Sequence, residues 1–314
     1  MGQGDVTVPT SQASNQEPPS PQSGGTLGRV SPLALVLGSI ISVQFGAAIS
    51  VTIFDQVGVA GSTLLRLAFA SLFLFLLGRP KVSQWSARQV KMALLFGMIL
   101  AAMNLAFYFA INILPVGIAT TIEFLGPISI AAIFSRRVLD GLWVVLAAAG
   151  VVLIAQPWSG GGNLELAGVL LALLAAFFWG IYILIAQRAG EVFPDRDGLT
   201  VAMMIGMAIV FIPGVISGGS TLVTPQILLL GAVIGLLSSL IPYSFELEAL
   251  RRMPARVFGT LMSIEPAVAV LTGFIVLSQK PTLLELFAIS LVVIASVGVT
   301  RTARALPAEA AIEA

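Results

Sequence analysis

Long apolar stretches separated by short polar breaks run through the chain from residue 32 to residue 300. A helix needs about 20 apolar residues to cross about 30 Å of hydrocarbon, and stretches near this length recur. The pattern predicts ten membrane-spanning helices, so we expect an all-α membrane protein. The predicted spans are residues 32–52, 59–78, 90–112, 116–135, 139–156, 164–187, 198–217, 226–247, 255–277 and 282–300.

The two ends of the chain lack such stretches. Residues 1–30 are rich in Gln, Ser, Pro and Gly, with too few large apolar groups to offset the entropy of ordering. We expect a disordered cytoplasmic tail over residues 1–30 and a short cytoplasmic tail over residues 302–314. The first tail has neither the basic start nor the apolar core of a signal peptide, so the first span is predicted to be a membrane anchor.

The distribution of basic residues predicts the orientation of the spans. Of the 16 Lys and Arg residues, Arg66 lies inside a span. With the N-terminus in the cytoplasm, Lys280 is the one basic residue placed outside, and the other fourteen lie on the cytoplasmic side. Cytoplasmic loops of membrane proteins carry an excess of Lys and Arg. The bias therefore places both termini in the cytoplasm and supports the count of ten spans.

The two halves of the chain repeat one pattern. A shift of 139 residues places Pro115 on Pro254 and Pro127 on Pro266, so residues 31–156 and 164–301 are predicted to be two repeats. Each repeat holds five spans, and an odd number means that the second repeat crosses the membrane in the opposite sense. Inverted repeats with a site near the midplane are usual in secondary transporters.

The composition excludes several classes of function. The chain is 57% hydrophobic and 10% charged and contains no Cys or His, which excludes a Ser-His protease and a zinc protease with an HExxH motif. Its aspartates are expected in the tail or in loops, against an intramembrane aspartyl enzyme. No phosphate-binding loop is present to couple ATP hydrolysis. We therefore expect neither an enzyme nor a bound cofactor, metal or nucleic acid.

Three segments carry a resemblance to a known family: residues 114–150, which begin LPVGIATTIEFLGP, residues 177–190 (FFWGIYILIAQRAG) and residues 241–270, which begin IPYSFELEALRRMP. They resemble the threonine and homoserine exporter family, in the EamA branch of the drug/metabolite transporter superfamily. The resemblance covers about residues 32–301. It implies a bacterial inner-membrane exporter with two EamA repeats, which moves small amino acids out of the cytoplasm at the expense of the proton gradient.

Three charged residues are predicted at nearly one depth in the membrane. At about 1.5 Å per residue, Arg66 and Glu123 lie about 10 and 12 Å below the outer face. Glu265 lies about 14 Å below it if the hydrocarbon core is about 30 Å thick. A charge at the centre of a lipid-facing helix costs about 2.5–3.5 kcal/mol, so we expect these residues to face the interior.

Prolines accompany the two glutamates. Pro127, after Gly126, frees the carbonyl of Glu123, and Pro266 frees that of Met262. We expect helix breaks there that expose backbone acceptors beside the site, or breaks that serve packing alone. Arg66 either contacts substrate or neutralises a glutamate and locks the spans together. Glu123 and Glu265 either recognise an ammonium group or bind a proton.

Softer candidates are polar side chains inside other spans, which either line the site or form hydrogen bonds between helices. They are Gln44, Asn104, Tyr108, Trp179, Tyr182, Tyr243 and Ser244. Glu246 and Glu248 are instead predicted to form an ion pair with Arg251 and Arg252 at the membrane boundary, with a gate as the alternative.

These features favour a secondary exporter of a small zwitterionic metabolite, with the proton as a possible coupling ion and lipid as its surroundings. An EamA exporter of another metabolite or drug remains the alternative. A passive channel or a membrane scaffold would not account for the buried glutamates. The sequence leaves the oligomeric state open.

Overall fold

The computed structural model describes residues 30–133, 138–155, 163–193, 197–250 and 252–302. Within these ranges the chain is almost entirely helical. The α-helices are α1 (Pro32–Val51), α2 (Phe54–Gly78), α3 (Ala87–Ile113), α4 (Val116–Glu123), α5 (Leu125–Ile133), α6 (Val138–Ala155), α7 (Asn163–Val192), α8 (Asp197–Gly218), α9 (Pro225–Gly235), α10 (Ile241–Leu250), α11 (Ala255–Met262), α12 (Glu265–Leu277) and α13 (Leu283–Thr302).

Among the described residues, nine helical stretches are long and apolar enough to cross a membrane. The predicted fifth span corresponds to α6, whose apolar part, Gly141–Ile154, is shorter than the other nine. Large apolar side chains such as Leu77, Ile216 and Leu283 are exposed on the outside of the bundle, as expected where helices meet lipid. The protein is thus a multi-pass helical membrane protein.

Contacts between helix ends define two faces of the bundle. At the face where α1 begins, which we call the near face, Gln89 at the start of α3 donates a hydrogen bond of 3.2 Å to the carbonyl of Val192 at the end of α7. At the opposite or far face, Ser217 at the end of α8 donates to the carbonyl of Val57 near the start of α2 (3.1 Å). Successive spans therefore run in opposite directions.

Two helices are broken at equivalent positions. The helix that starts after Pro115 ends at Glu123, and α5 resumes it at Leu125; the helix that starts after Pro254 ends at Met262, and α12 resumes it at Glu265. Both first segments have eight residues, and their last residues are separated by the same 139 positions as the sequence repeat. The breaks, at Phe124 and at Ser263 and Ile264, fall two or three residues before Pro127 and Pro266.

The span that begins at Pro225 contains a π-helical turn, Leu236–Leu240, between α9 and α10. Side chains of neighbouring helices bind the carbonyls of this turn: Ser42 Oγ donates to the Leu237 carbonyl (2.8 Å) and Arg66 Nη2 to the Ser238 carbonyl (3.0 Å). A Cβ at Gly46 would lie 2.2 Å from Ser238 Oγ, so only glycine lets α1 approach so closely. π-Turns are frequent at functional sites.

Several expectations from the sequence need correction. Asp55, Asp140 and Asp197 lie in the first turns of α2, α6 and α8 rather than in loops. Gly126 lies within α5 and not at the break; a Cβ there would lie 2.3 Å from the Ala176 carbonyl oxygen, so its position reflects tight packing against α7. Except for residues 30 and 302, the two predicted tails lie outside the described residues.

Candidate functional site

A cavity of about 140 Å³ lies in the middle of the bundle, and we call it the central cavity. A water molecule needs about 10–15 Å³ by a comparable measure, so the cavity has room for a small metabolite. Its walls come from both halves of the chain. The lining residues are Val43, Gln44, Ala47, Arg66, Met103, Asn104, Phe107, Glu123, Trp179, Tyr182, Ser238, Pro242, Tyr243, Glu246, Met262 and Glu265.

Glu265 and Gln44 form one wall of this cavity. Glu265 is the first residue of α12, where a carboxylate suits the positive end of the helix dipole, and it is 7% exposed. Gln44 Nε2 donates a hydrogen bond of 2.9 Å to Glu265 Oε1. Among the described residues, Glu265 Oε2 and Gln44 Oε1 have no hydrogen-bond partner although both are buried. Two acceptor atoms are therefore left to bind a donor inside the cavity.

Arg66 is held against the π-helical turn. Its Nη2 donates to the Ser238 carbonyl (3.0 Å) and its Nε to Ser239 Oγ (3.4 Å), and its Cζ lies 5.3 Å from the centre of the Tyr108 ring. Within the described ranges no carboxylate approaches the guanidinium to 4 Å, since the ion pair found there is Arg252–Glu248. A guanidinium has five N–H donors, and these contacts leave three of them.

Glu123 ends α4 at the break and is half-buried in the cavity wall. It faces the same cavity as Glu265 and Arg66, so the three charged residues predicted at one depth share one site. Phe124, which follows Glu123, packs edge-on against Trp179, with ring centres 5.2 Å apart. The aromatic pair fixes the broken helix against α7 beside the cavity.

The softer candidates divide into two groups. Gln44, Asn104, Trp179, Tyr182 and Tyr243 line the central cavity. Asn104 uses its Nδ2 for the Leu100 carbonyl (2.8 Å), which leaves its side-chain oxygen for the cavity.

Tyr108 and Ser244 do not line the central cavity. The Tyr108 ring lies against Arg66 and thus supports the site from behind. Ser244 lines a neighbouring cavity. Asn104 and Tyr108, four residues apart on α3, therefore contribute to the site in different ways.

Two further cavities adjoin the central one toward the near face. The first, of about 300 Å³, lies between α7, α8 and α10, and the second, of about 480 Å³, lies between α5, α7, α11 and α13. Both share Tyr182 and Glu246 with the central cavity. Space on this side of the site is therefore open between the inner segments of the two broken helices.

The far side of the central cavity is closed by close packing of the outer segments, α4 and α12. A Cβ at Gly117 would lie 2.5 Å from Val270 Cγ2 and 2.9 Å from Val270 Cα. The backbone N–H of Val116 also donates a hydrogen bond of 3.1 Å to Gln279 Oε1. The site is thus sealed from the far face and wider toward the near face.

Two polar residues of the cavity were missed in the sequence. Glu246, expected in a boundary ion pair, faces the cavity, while Glu248 pairs with Arg252 (3.5 Å). Arg251 lies outside the described residues. Ser238 presents a buried hydroxyl without a partner in the described ranges. The spacing of Glu246 from Tyr243, three residues along a helix, was a signal that both face one side.

Comparisons with known proteins agree with this architecture. The model of the EamA-like transporter family matches residues 166–301. A solved crystal structure covers 88% of this chain and 99% of its own length, with a TM-score of 0.57 and 15% identity, which shows a shared fold.

Curated relatives extend over most of the chain. The threonine/homoserine exporter RhtA of Salmonella typhimurium (strain SL1344) is 38% identical over 278 residues, 88% of this chain and 93% of the relative. The protein of the same name from Escherichia coli (strain K12) is 38% identical over 275 residues, 87% of this chain and 92% of the relative. The chain therefore belongs to the family of these exporters, within the EamA-like transporters.

Proposed function

We propose that this protein is a secondary transporter of the bacterial inner membrane that exports small amino acids of the threonine and homoserine type. The observation that carries the proposal is the central cavity, where unpartnered acceptors of Gln44 and Glu265 and the guanidinium of Arg66 face one small space. The 38% identity to threonine/homoserine exporters over 88% of the chain supports the same substrate class.

The polar groups of the cavity suit a zwitterion. An ammonium group needs acceptors, which Glu265 Oε2 and Gln44 Oε1 supply. A carboxylate needs donors, and Arg66 retains three N–H groups for planar, two-point binding, with the Ser238 hydroxyl nearby in the same wall. The substrate supplies partners that these buried groups lack among the described residues, so binding offsets part of the cost of their burial.

The size of the cavity favours a small substrate over a bulky drug. At about 140 Å³, it holds roughly ten water-sized spheres at about 10–15 Å³ each, which is close to the eight non-hydrogen atoms of threonine. Met103, Phe107 and Trp179 form apolar parts of the wall and limit longer side chains.

The architecture that goes with this function is ten spans in two inverted five-helix repeats, with α6 as the fifth span. The common offset of 139 residues between the ends of α4 and α11 supports the repeats. The near face is the cytoplasmic one, since Arg79, Lys81, Arg88 and Lys91 all lie in or beside the turn between α2 and α3 at that face. Both termini are then cytoplasmic.

Transport proceeds by alternating access and is coupled to protons. The near side is wide and the far side is sealed at Gly117 and Val270, which suits a state that loads from the cytoplasm. The reverse state would close α5 against α11 and separate α4 from α12. Three carboxyl groups share one cavity with a single guanidinium, so ionisation of all three would leave two uncompensated negative charges, which protons or a substrate ammonium group would balance.

The test is efflux of radiolabelled threonine from proteoliposomes that carry the purified protein, with and without an imposed pH gradient and with homoserine as competitor. We expect gradient-dependent efflux that homoserine inhibits. In Glu265→Gln we expect efflux to lose its dependence on the pH gradient. A thermal unfolding measurement should show that the variant is still folded.

Two results would contradict this function. Folded wild-type protein that moves no threonine would reject the substrate class, and efflux indifferent to the gradient would indicate a passive channel. The matched control is Glu191→Gln, since Glu191 is exposed near the end of α7 and lines none of the three cavities. We expect its efflux to equal that of the wild type.

A further inference from the structure

Glu246 occupies the junction between the central cavity and both near-side cavities. Its side chain lines all three. Tyr182 is the other residue common to all three, and Tyr243 lines two of them. Glu246 therefore lies in the wall of both routes from the near-side cavities to the central one.

The contacts of Glu246 leave its charge available. Ser39 of α1, fully buried, donates a hydrogen bond of 2.6 Å from Oγ to Glu246 Oε1. No Lys or Arg of the described ranges lies within 4 Å of the Glu246 carboxylate. Glu248, two residues nearer the near face, has Arg252 as its partner at 3.5 Å. Among the described residues, Glu248 thus has a cation as its partner, whereas Glu246 accepts from a hydroxyl and faces the cavities.

The described residues place polar groups around this carboxylate and no Lys or Arg within 4 Å of it. Tyr182 and Tyr243 line the same two cavities beside it. Glu265 lies across the central cavity, and Arg66 is occupied by the π-helical turn. An ammonium group at this junction would meet a carboxylate, two hydroxyl oxygens and the face of an aromatic ring, all of which attract a cation.

The position along the path is that of a loading site. Glu246 lies four residues from the near-face end of α10, or about 6 Å at about 1.5 Å per residue. Glu265 lies eleven residues beyond Pro254, or about 16 Å from the same face by the same rise. The two carboxylates are therefore successive along the route from the near face to the central cavity.

We propose that Glu246, with Ser39 and the Tyr182–Tyr243 pair, forms a second ammonium-binding subsite that receives the substrate before Glu265 does. Its ligand is the primary ammonium group of a small amino acid that arrives from the near face. The subsite lowers the barrier to loading, because a cation that has left water meets a fixed counter-charge at an intermediate depth. This inference rests on the proposed export function.

The experiment measures uptake of radiolabelled threonine into inside-out membrane vesicles, where the near face meets the medium, and into right-side-out vesicles, where the far face does. In Glu246→Gln we expect kcat/KM from the near face to fall at least fivefold. We expect kcat/KM from the far face, and the equilibrium affinity of the purified protein for threonine, to change less than twofold. Ser39→Ala changes near-face kcat/KM in the same direction by a smaller factor.

The matched control is Glu248→Gln, which removes the same charge two residues away and should leave both directions unchanged. Equal kinetics of wild type and Glu246→Gln, in protein that binds threonine, would overturn the subsite alone. A parallel loss of near-face kinetics and equilibrium affinity would also overturn it, because Glu246 would then belong to the central site. Wild-type vesicles that take up no threonine would reject the export function itself, and the subsite with it.

Discussion

Gln44 and Glu265 lie 221 residues apart in the sequence and meet in one hydrogen bond of 2.9 Å from Gln44 Nε2 to Glu265 Oε1. The bond joins α1 to the first residue of α12, at the point where a broken helix resumes. Because each side chain keeps one buried oxygen without a partner in the described ranges, the pair orients two acceptors toward the same space. Much of the proposed ammonium recognition depends on this geometry.

Replacement of Gln44 by Leu should weaken threonine binding about 10- to 100-fold. The change removes one acceptor and frees Glu265 to rotate, and a hydrogen bond to a charged group contributes about 1.5–3 kcal/mol, where about 1.4 kcal/mol is a factor of ten. Equilibrium binding of radiolabelled threonine to purified protein measures the effect. Gln56→Leu, at an exposed position of α2, serves as the control, and equal affinities of the two variants would contradict the role of Gln44.

Arg66→Lys should reduce the ability to distinguish threonine from its methyl ester. Lysine keeps the charge but lacks the planar fork that binds a carboxylate at two points, and it cannot retain both the Ser238 contact and the position over Tyr108. In competition binding we expect the wild type to prefer threonine over its methyl ester at least tenfold. The variant should prefer threonine by less than about threefold, because it lacks two-point binding. The control is Arg88→Lys, exposed at the start of α3. A variant that kept the full preference would show that Arg66 is structural.

Much of the fold could be predicted from the sequence, because the hydrocarbon thickness fixes the length of each apolar run. The charged trio could be predicted as well, since burial of Arg66, Glu123 and Glu265 in lipid is costly and leaves the interior as their one favourable location. The alignment of Pro127 with Pro266 in the sequence repeat indicated that two helices are broken in the same way. These inferences depend on large free-energy costs that act on single residues or single segments of the chain.

The orientation of α10 could not be predicted in this way. The π-helical turn at Leu236–Leu240 inserts one extra residue, which rotates all later side chains by about 100° relative to a regular α-helix. The letters LLSSL do not reveal that insertion, because it depends on Ser42 and Arg66 of other helices to bind the carbonyls. For this reason the face of α10 that meets the cavity could not be assigned by extending the helical pattern of α9.

Gly126→Ala should destabilise the protein, whereas Gly141→Ala should not. A Cβ at Gly126 would lie 2.3 Å from a backbone oxygen of α7, while one at Gly141 would meet nothing within 4 Å. Overpacking costs about 1–3 kcal/mol, and alanine in an open helical position gains up to about 1 kcal/mol over glycine. Thermal unfolding in detergent should therefore show a lower Tm for the first variant and an equal or higher Tm for the second. Equal losses of Tm would refute the packing argument.

Gly117→Ala should shift the protein toward a state that is open at the far face. The added Cβ would lie 2.5 Å from Val270 Cγ2 and 2.9 Å from Val270 Cα, so α4 and α12 have to separate, and a cost of about 1.4 kcal/mol in the closed state changes the ratio of states about tenfold. Because the chain contains no Cys, Ala47→Cys places a single thiol in the wall of the central cavity. We expect a membrane-impermeant thiol reagent to label this position from the far face several-fold faster when Gly117→Ala is also present.

The control is the same thiol combined with Gly141→Ala, which should react at the original rate. If Gly117→Ala left the labelling rate unchanged in folded protein, the contact of Gly117 with Val270 would not be the seal of the far side. Closure would then have to depend on the Val116–Gln279 hydrogen bond. The variant Gln279→Leu would test that bond by the same labelling.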